Sequence, residues 1–128
     1  MMASGFIAVG AGGAIGCWLR WWLAIKFNAL TPALPVGTLL ANCVGGYCIG
    51  LAIGWFMQNP DMSPEFRLFL ITGLLGGLTT FSTFSLEAVE LLMAGRYGWA
   101  AIHVSAHLAG SLLLTALGLV TMKSLAAG

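Results

Sequence analysis

The residue types best suited to chemistry are concentrated in residues 73–87, a run with the sequence GLLGGLTTFSTFSLE. It holds three glycines, five hydroxyl side chains, two phenylalanines and a final glutamate within a long apolar stretch. Bare backbone and hydroxyl groups are tolerated at membrane depth only when they are buried in protein or line a wet path. The run therefore predicts a permeation or binding site rather than a simple lipid anchor.

The first half of this run favours a broken helix. Gly73, Gly76 and Gly77 each lower helix propensity by about 1 kcal/mol, and the β-branched Thr79 and Thr80 follow them. Carbonyl groups released by such a break bind cations inside membrane proteins, whereas the helix N-terminus beyond it favours anions.

The second half carries two aromatic rings and a carboxylate. Phe81 and Phe84 project from nearly the same helix face, and the positive edge of a phenyl ring can lie beside an anion. Lipid contact or packing is the ordinary alternative for such rings. Glu87 lies one turn beyond Thr83, either as an interfacial carboxylate bonded to a hydroxyl or as a member of a polar track.

The first two apolar segments also contain polar residues. Thr38 and Asn42 are one turn apart on one face, where the amide serves either a helix–helix hydrogen bond or a pore. Arg20, near the end of its segment, is typical of an interfacial or snorkelling residue.

The fourth segment has polar residues at every fourth position, which favours a vestibule lining or packing on the third segment. Two of them are histidines, a pair that suits a metal ion. Residues 104–106 supply neither the glutamate of the usual zinc motif nor a third ligand, so metal binding is disfavoured. The members of the stripe are His103, His107, Ser111 and Thr115.

Composition places these residues in a membrane. Hydrophobic residues make up 59% of the 128 and charged residues only 7%, whereas soluble domains carry about 25% charged residues. We expect residues 1–128 to form a single all-α transmembrane domain. A net charge of +1 argues against nucleic acid as a partner. The sequence offers no nucleophile paired with a base, phosphate loop or redox motif, so an enzyme is not expected.

Four apolar segments each exceed the roughly 20 residues that a spanning helix needs. Short links make sequential helices antiparallel neighbours, which places both termini on one side. The predicted segments are residues 4–27, 35–57, 66–93 and 97–125.

The basic residues are almost evenly divided between the two sides. Arg67 and Lys123 lie with the termini, and Lys26 and Arg96 lie opposite, joined by Arg20 if it snorkels outward. Because Lys and Arg bias sets orientation, this balance favours insertion in both orientations, although other cues for a single one stay open. Glycines at helix spacing favour close helix association, and with dual insertion they predict an antiparallel dimer. These glycines are Gly10, Gly12, Gly13, Gly16, Gly45, Gly46, Gly50 and Gly54.

The runs GTLLAN at residues 37–42 and GLLGGLTTFSTF at residues 73–84, followed by Glu87, resemble the Fluc (CrcB) family of fluoride channels. The resemblance covers the whole chain. It implies a dual-topology antiparallel homodimer of four-helix subunits with a broken third helix. It also implies passive fluoride export through two pores in the bacterial plasma (inner) membrane.

The resemblance also implies roles for particular residues. Phe81 and Phe84 would contact fluoride by their ring edges, and Asn42 would supply an amide donor. A structural Na⁺ at the two-fold axis would be held by the carbonyls of Gly76 and Thr79 from each subunit. The other implied pore residues are Ser111, a basic Arg20 near the vestibule, Ser82, and the polar track of Thr38, Thr83 and Glu87. Relatives often carry Tyr and Ser in place of His103 and His107.

Two other functions stay open as alternatives. A proton-coupled exporter of the small multidrug-resistance type is also a four-helix, dual-topology dimer. It needs a carboxylate in mid-membrane, whereas the first segment has none and Glu87 comes late in the third. A non-transporting assembly subunit would leave hydroxyls and an amide at depth on three helices without a purpose.

Overall fold

The computed structural model describes residues 2–128, and within them the backbone forms helices and no strands. Four spans are long and apolar enough to cross a membrane, which confirms the predicted all-α, four-span fold of an integral membrane protein. The elements are α1 (Met2–Phe27), α2 (Val36–Gln58), α3 (residues 64–78), α4 (Phe81–Met93) and α5 (Tyr97–Ala127), with a 3₁₀ turn at Asn28–Leu30.

The third span is divided into α3 and α4, as the glycines and threonines predicted. Thr79 (φ −87°, ψ 156°) and Thr80 (φ −152°, ψ 116°) are both extended. The chain then re-enters a helix at Phe81. Two consecutive extended residues cannot continue the helical hydrogen bonds, so the break releases backbone groups in the interior of the span.

The sequence pattern did not predict that α3 is π-helical over Leu68–Leu75. At its end the amide of Gly76 donates to the carbonyl of Ile71, five residues earlier. π-helical segments are rare and are frequent at functional sites. Here the wide segment leads directly into the break.

Glycine contacts hold the helices in two tight pairs, α1 with α3 and α2 with α5. A methyl group at Gly50 would lie 3.0 Å from the Cα atom of Gly118, and one at Gly12 would lie 3.1 Å from that of Gly73. Such contacts allow backbones to approach closely, as the glycine spacing predicted. Gly10 has nothing within 4 Å of an added methyl group, so it takes no part in these pairs.

A small apolar core lies between α2 and α3. It is formed by Ala41, Ala52, Phe56, Leu75 and Leu78. Most other large apolar side chains face outward, as lipid contact requires. The core sets α2 opposite the break, while α4 packs on α5. The break therefore lies beside α2, at the junction of the two helices that form the third span.

Candidate functional site

Asn42 of α2 holds the backbone of the break. Its Oδ1 accepts a 2.7 Å hydrogen bond from the Thr80 amide, and its Nδ2 donates to the Thr80 carbonyl at 3.1 Å. In an unbroken helix the Thr80 amide would donate to the carbonyl of Gly76. Asn42 thus replaces a helical hydrogen bond and stabilises the extended conformation.

Thr80 also begins α4. Its hydroxyl oxygen accepts from the amide of Thr83 at 3.1 Å, in the manner of an N-cap. The same hydroxyl donates to the hydroxyl of Thr83 at 3.1 Å and lies 3.3 Å from that of Ser82. Three hydroxyls thus gather at the positive end of the α4 dipole. Thr80 was predicted only as part of the break, although a threonine immediately before the apolar Phe81 is an N-cap signal.

The two predicted phenylalanines differ sharply in exposure. Phe84 is 7% exposed and Phe81 is 74% exposed. Their ring centroids are 5.4 Å apart at an interplanar angle of 57°. The imidazole of His103 is stacked on Phe84, 5.3 Å away at 21°, and His107 is 4.7 Å away at 40°. One face of the nearly buried Phe84 ring is therefore stacked on His103.

An open groove of about 410 Å³ runs beside the break and is lined by residues of α2, α3, α4 and α5. Its floor combines apolar side chains with a few polar ones. Six of the predicted site residues line it: Asn42, Gly76, Thr79, Phe81, Phe84 and Ser111. The other predicted residues lie outside the groove lining: Arg20, Thr38, Ser82, Thr83 and Glu87.

Thr38 and Glu87 form a second polar cluster behind Phe84. The Thr38 hydroxyl donates to Glu87 Oε2 at 2.8 Å, which is the hydroxyl-bonded carboxylate expected as one alternative. The amide of Thr38 donates to Asn28 Oδ1 at 3.0 Å, so Asn28 caps α2 from the preceding link. No sequence pattern points to Asn28, because only the tertiary fold brings this link residue to the start of α2.

The histidines of α5 point into the protein toward α4. His103 is completely buried, with Nε2 3.3 Å from the Phe84 carbonyl and 3.7 Å from Glu87 Oε1. His107 is 3% exposed, with Nδ1 3.0 Å from Asn42 Nδ2. Ligand-type atoms of Glu87 and both histidines lie within 4.8 Å of one another. Residues 104–106 contain no third metal ligand to join the two histidines. In the fold, Glu87 of α4 lies where such a ligand would be.

Arg20 lies against the end of α3 rather than reaching outward. Its Nε donates to the carbonyl of Gly77 at 3.0 Å, and its side chain is partly buried. A cation is favoured at a helix C-terminus, where carbonyls lack helical donors. The contact stabilises the α3 side of the break, as Asn42 stabilises the α4 side.

The carbonyls predicted to bind Na⁺ lie at the same break. The Thr80 amide is engaged by Asn42, so the Gly76 carbonyl lacks its usual helical donor. Gly76 and Thr79 both line the groove. Unwound carbonyls of this type suit a hard cation. The donor chemistry therefore fits Na⁺.

These features define a class of protein, a four-span membrane protein whose third span is broken beside a mixed aromatic and polar groove. Residues 7–119 match the family described as CrcB-like protein, Camphor Resistance (CrcB). The chain belongs to this family, which confirms the resemblance seen in the motifs.

Similar proteins bear the name fluoride-specific ion channel FluC. One from Cupriavidus pinatubonensis is 62% identical over 122 residues, which cover 95% of this chain and 97% of that protein. One from Cupriavidus metallidurans is 57% identical over 122 residues, which also cover 95% of this chain and 97% of that protein. One from Ralstonia nicotianae is 55% identical over 125 residues, or 98% of this chain and 99% of that protein. Their names denote channels, not enzymes.

Proposed function

We propose that this protein is a fluoride-selective channel that exports fluoride passively across the plasma (inner) membrane of a bacterium. The observation that carries the proposal is the position of Phe84. Its face is covered by His103, and its ring lies in the groove with Asn42 beside a capped helix N-terminus. This environment presents weakly positive ring edges and neutral hydrogen-bond donors, which suit a strongly hydrated anion that must also leave.

The proposed path replaces the water around fluoride in stages. Hydroxyls of Ser82 and Thr83 at the start of α4 offer hydrogen bonds and a favourable dipole. The weakly positive edges of Phe81 and Phe84 then contact the ion without binding it tightly. Ser111 supplies a further hydroxyl on the α5 side of the groove. Behind Phe84, Thr38 engages one oxygen of Glu87, which reduces the repulsion of the anion by this carboxylate.

We also propose that the working unit is an antiparallel homodimer with two pores. Phe81 is 74% exposed in the single chain, and the groove is open along one side. A second copy would cover both. The near balance of basic residues supports opposite insertion of the two copies. Tags on the termini of the protein in intact cells should be detected on both sides of the membrane, and detection on one side only would contradict this arrangement.

A structural Na⁺ is proposed at the centre of this dimer. The carbonyls of Gly76 and Thr79 from both copies would hold it and so tie the two breaks together. Replacing Na⁺ by a large organic cation should slow or abolish fluoride transport. Unchanged flux after rigorous removal of Na⁺ would argue against the site.

Fluoride efflux from liposomes, followed with a fluoride electrode, tests the central proposal. We expect passive efflux driven by the fluoride gradient and no comparable chloride efflux. Proton-coupled uptake of a cationic drug would indicate an exporter instead, and absence of both activities would favour an assembly subunit.

A further inference from the structure

The hydrogen bonds of Asn42 determine which of its side-chain atoms faces His107. The Thr80 amide can only donate, so the Asn42 atom that it meets at 2.7 Å is the oxygen. The other atom, which meets the Thr80 carbonyl at 3.1 Å, is the nitrogen. Reversing the amide would break both hydrogen bonds. The nitrogen is therefore the atom that lies 3.0 Å from His107 Nδ1.

This contact determines the tautomer of His107. An amide nitrogen donates and does not accept, so Nδ1 must accept and carries no proton. The neutral ring then carries its proton on Nε2. A proton on Nδ1 would place two donors face to face, which requires Asn42 to release Thr80. Asn42 thus maintains His107 as a neutral ring with an Nε2–H donor.

That donor has no partner within the described residues 2–128. Nε2 of His107 is buried, and it makes no hydrogen bond to protein. The side chain is 3% exposed and lines the groove that also contains Phe81 and Phe84. Its ring centroid is 4.7 Å from that of Phe84. A buried donor without an acceptor is unfavourable unless a ligand or water supplies the missing acceptor.

We propose that the Nε2–H group of His107 is a hydrogen-bond donor to fluoride in the permeation path, next to the edge of Phe84. This inference rests on the proposed fluoride transport and adds a residue to it. Asn42 then acts on the ion through His107, because both of its own N–H groups are engaged by Thr80 and the imidazole. A neutral donor replaces one water of hydration without trapping the anion, as a cationic one would.

The same hydrogen bonds disfavour a metal ion between Glu87, His103 and His107. A metal bound at Nε2 of His107 would displace the proton there and require Asn42 to release the ring. His103 differs, since its Nε2 faces the Phe84 carbonyl and its unpartnered atom is Nδ1. The two rings thus present opposite chemistry, a bare nitrogen on His103 and an N–H group on His107.

Two substitutions of similar size test the roles of the two His107 ring nitrogens separately. His107→Gln places an amide donor near the position of Nε2, and His107→Asn places polar atoms only near Nδ1. We expect fluoride efflux to fall about tenfold or more in His107→Asn, because a hydrogen bond to an ion is lost. His107→Gln should retain clearly more flux than His107→Asn. Ser105→Ala, at an exposed position of the same helix, is the control and should conduct like the parent.

A spectroscopic measurement separates ion contact from structural support. Full-length protein with ¹⁵N-labelled histidine, in detergent micelles, should show a bare Nδ1 and a protonated Nε2 for His107. Titration with sodium fluoride should shift this Nε2–H signal, and sodium chloride at the same concentration should not. Size-exclusion profiles establish that each variant is folded.

The outcomes distinguish this inference from the proposed function. If the parent protein shows no fluoride efflux, the proposed function fails. If the parent conducts and folded His107→Asn conducts equally well, only the role of His107 is overturned. The same conclusion follows if the Nε2–H signal of the parent does not shift when sodium fluoride is added. Visible absorption bands of histidine-bound Co²⁺, formed with Co²⁺ alone and lost in His107→Asn, would also overturn it, because they would show a metal ligand at this nitrogen.

Discussion

The glycine contact between α2 and α5 and the break between α3 and α4 are built in opposite ways. At the contact, Gly118 and Gly50 bring two backbones together so closely that no side chain separates them. At the break, helical backbone bonds are missing, and the side chains of Asn42 and Arg20 replace them. The first region leaves no space for a side chain between the two backbones. The second leaves carbonyls, hydroxyls and ring edges available.

This difference indicates that rigidity and ion chemistry are assigned to separate parts of a small chain. Close backbone contacts tolerate almost no added volume, because packed interiors relax only partially. Irregular backbone is tolerated at the break because surrounding side chains form hydrogen bonds with some of its amide and carbonyl groups. Changes at the glycine contacts should therefore act on folding, and changes at the break should act on transport.

The largest effect is expected for Gly118→Val. An added Cβ atom would overlap the carbonyl of Tyr47 and lie 2.9 Å from the amide of Leu51, both of which are backbone groups. The helices must separate, and we expect little or no folded protein. Gly98→Val on the same helix is the control, since nothing lies within 4 Å of its Cβ position. Yield and size-exclusion profiles measure the effect; a well-folded Gly118→Val protein would show that the contact is not rigid.

Asn42→Asp should affect both transport and the geometry of the break. A carboxylate cannot donate to the Thr80 carbonyl or to His107 Nδ1, and it places a negative charge beside the anion path. We expect fluoride efflux to fall to the level of empty liposomes, with a loss of stability of about 1–3 kcal/mol from the unsatisfied groups. Efflux at the parent rate would show that Asn42 is dispensable both as a clamp and as a pore residue.

Phe84→Leu should separate transport from folding most clearly. Leucine is apolar and similar enough in bulk that packing alone should lose less than about 1.5 kcal/mol. It lacks the positive ring edge, so we expect fluoride flux to collapse in a protein that still folds. Liposome efflux and size-exclusion profiles are compared on one preparation. A folded variant with parental flux would remove the ring edge from the mechanism.

The smallest effect is expected for Gly10→Ala, compared with Gly12→Ala two residues away. Gly10 has open space around its Cβ position, so alanine should leave stability unchanged or raise it by up to about 1 kcal/mol. At Gly12 the added atom would lie 2.8 Å from the amide of Leu74, and a loss of about 1–3 kcal/mol is expected. Unfolding in denaturing detergent compares them. Equal stability of the two variants would mean that α1 and α3 can move apart without loss.

The sequence alone determined the four spans and the position of the break. Hydropathy over about 20 residues and the low helix propensity of adjacent glycines are local properties, so they can be read along the chain. The family motifs likewise identified Phe81, Phe84 and Asn42 as residues of interest. Their predicted contacts with fluoride, and the Na⁺ site at Gly76 and Thr79, stay predictions.

Only the tertiary structure determined which polar groups meet. Asn42 and Thr80 are 38 residues apart, and Thr38 and Glu87 are 49 apart. Helical periodicity shows which residues share a face, but it does not give the rotation and height of one helix against another. That register is set by the close glycine contacts. It places Asn42 against His107 and so decides which imidazole nitrogen carries the proton, a property that no local pattern contains.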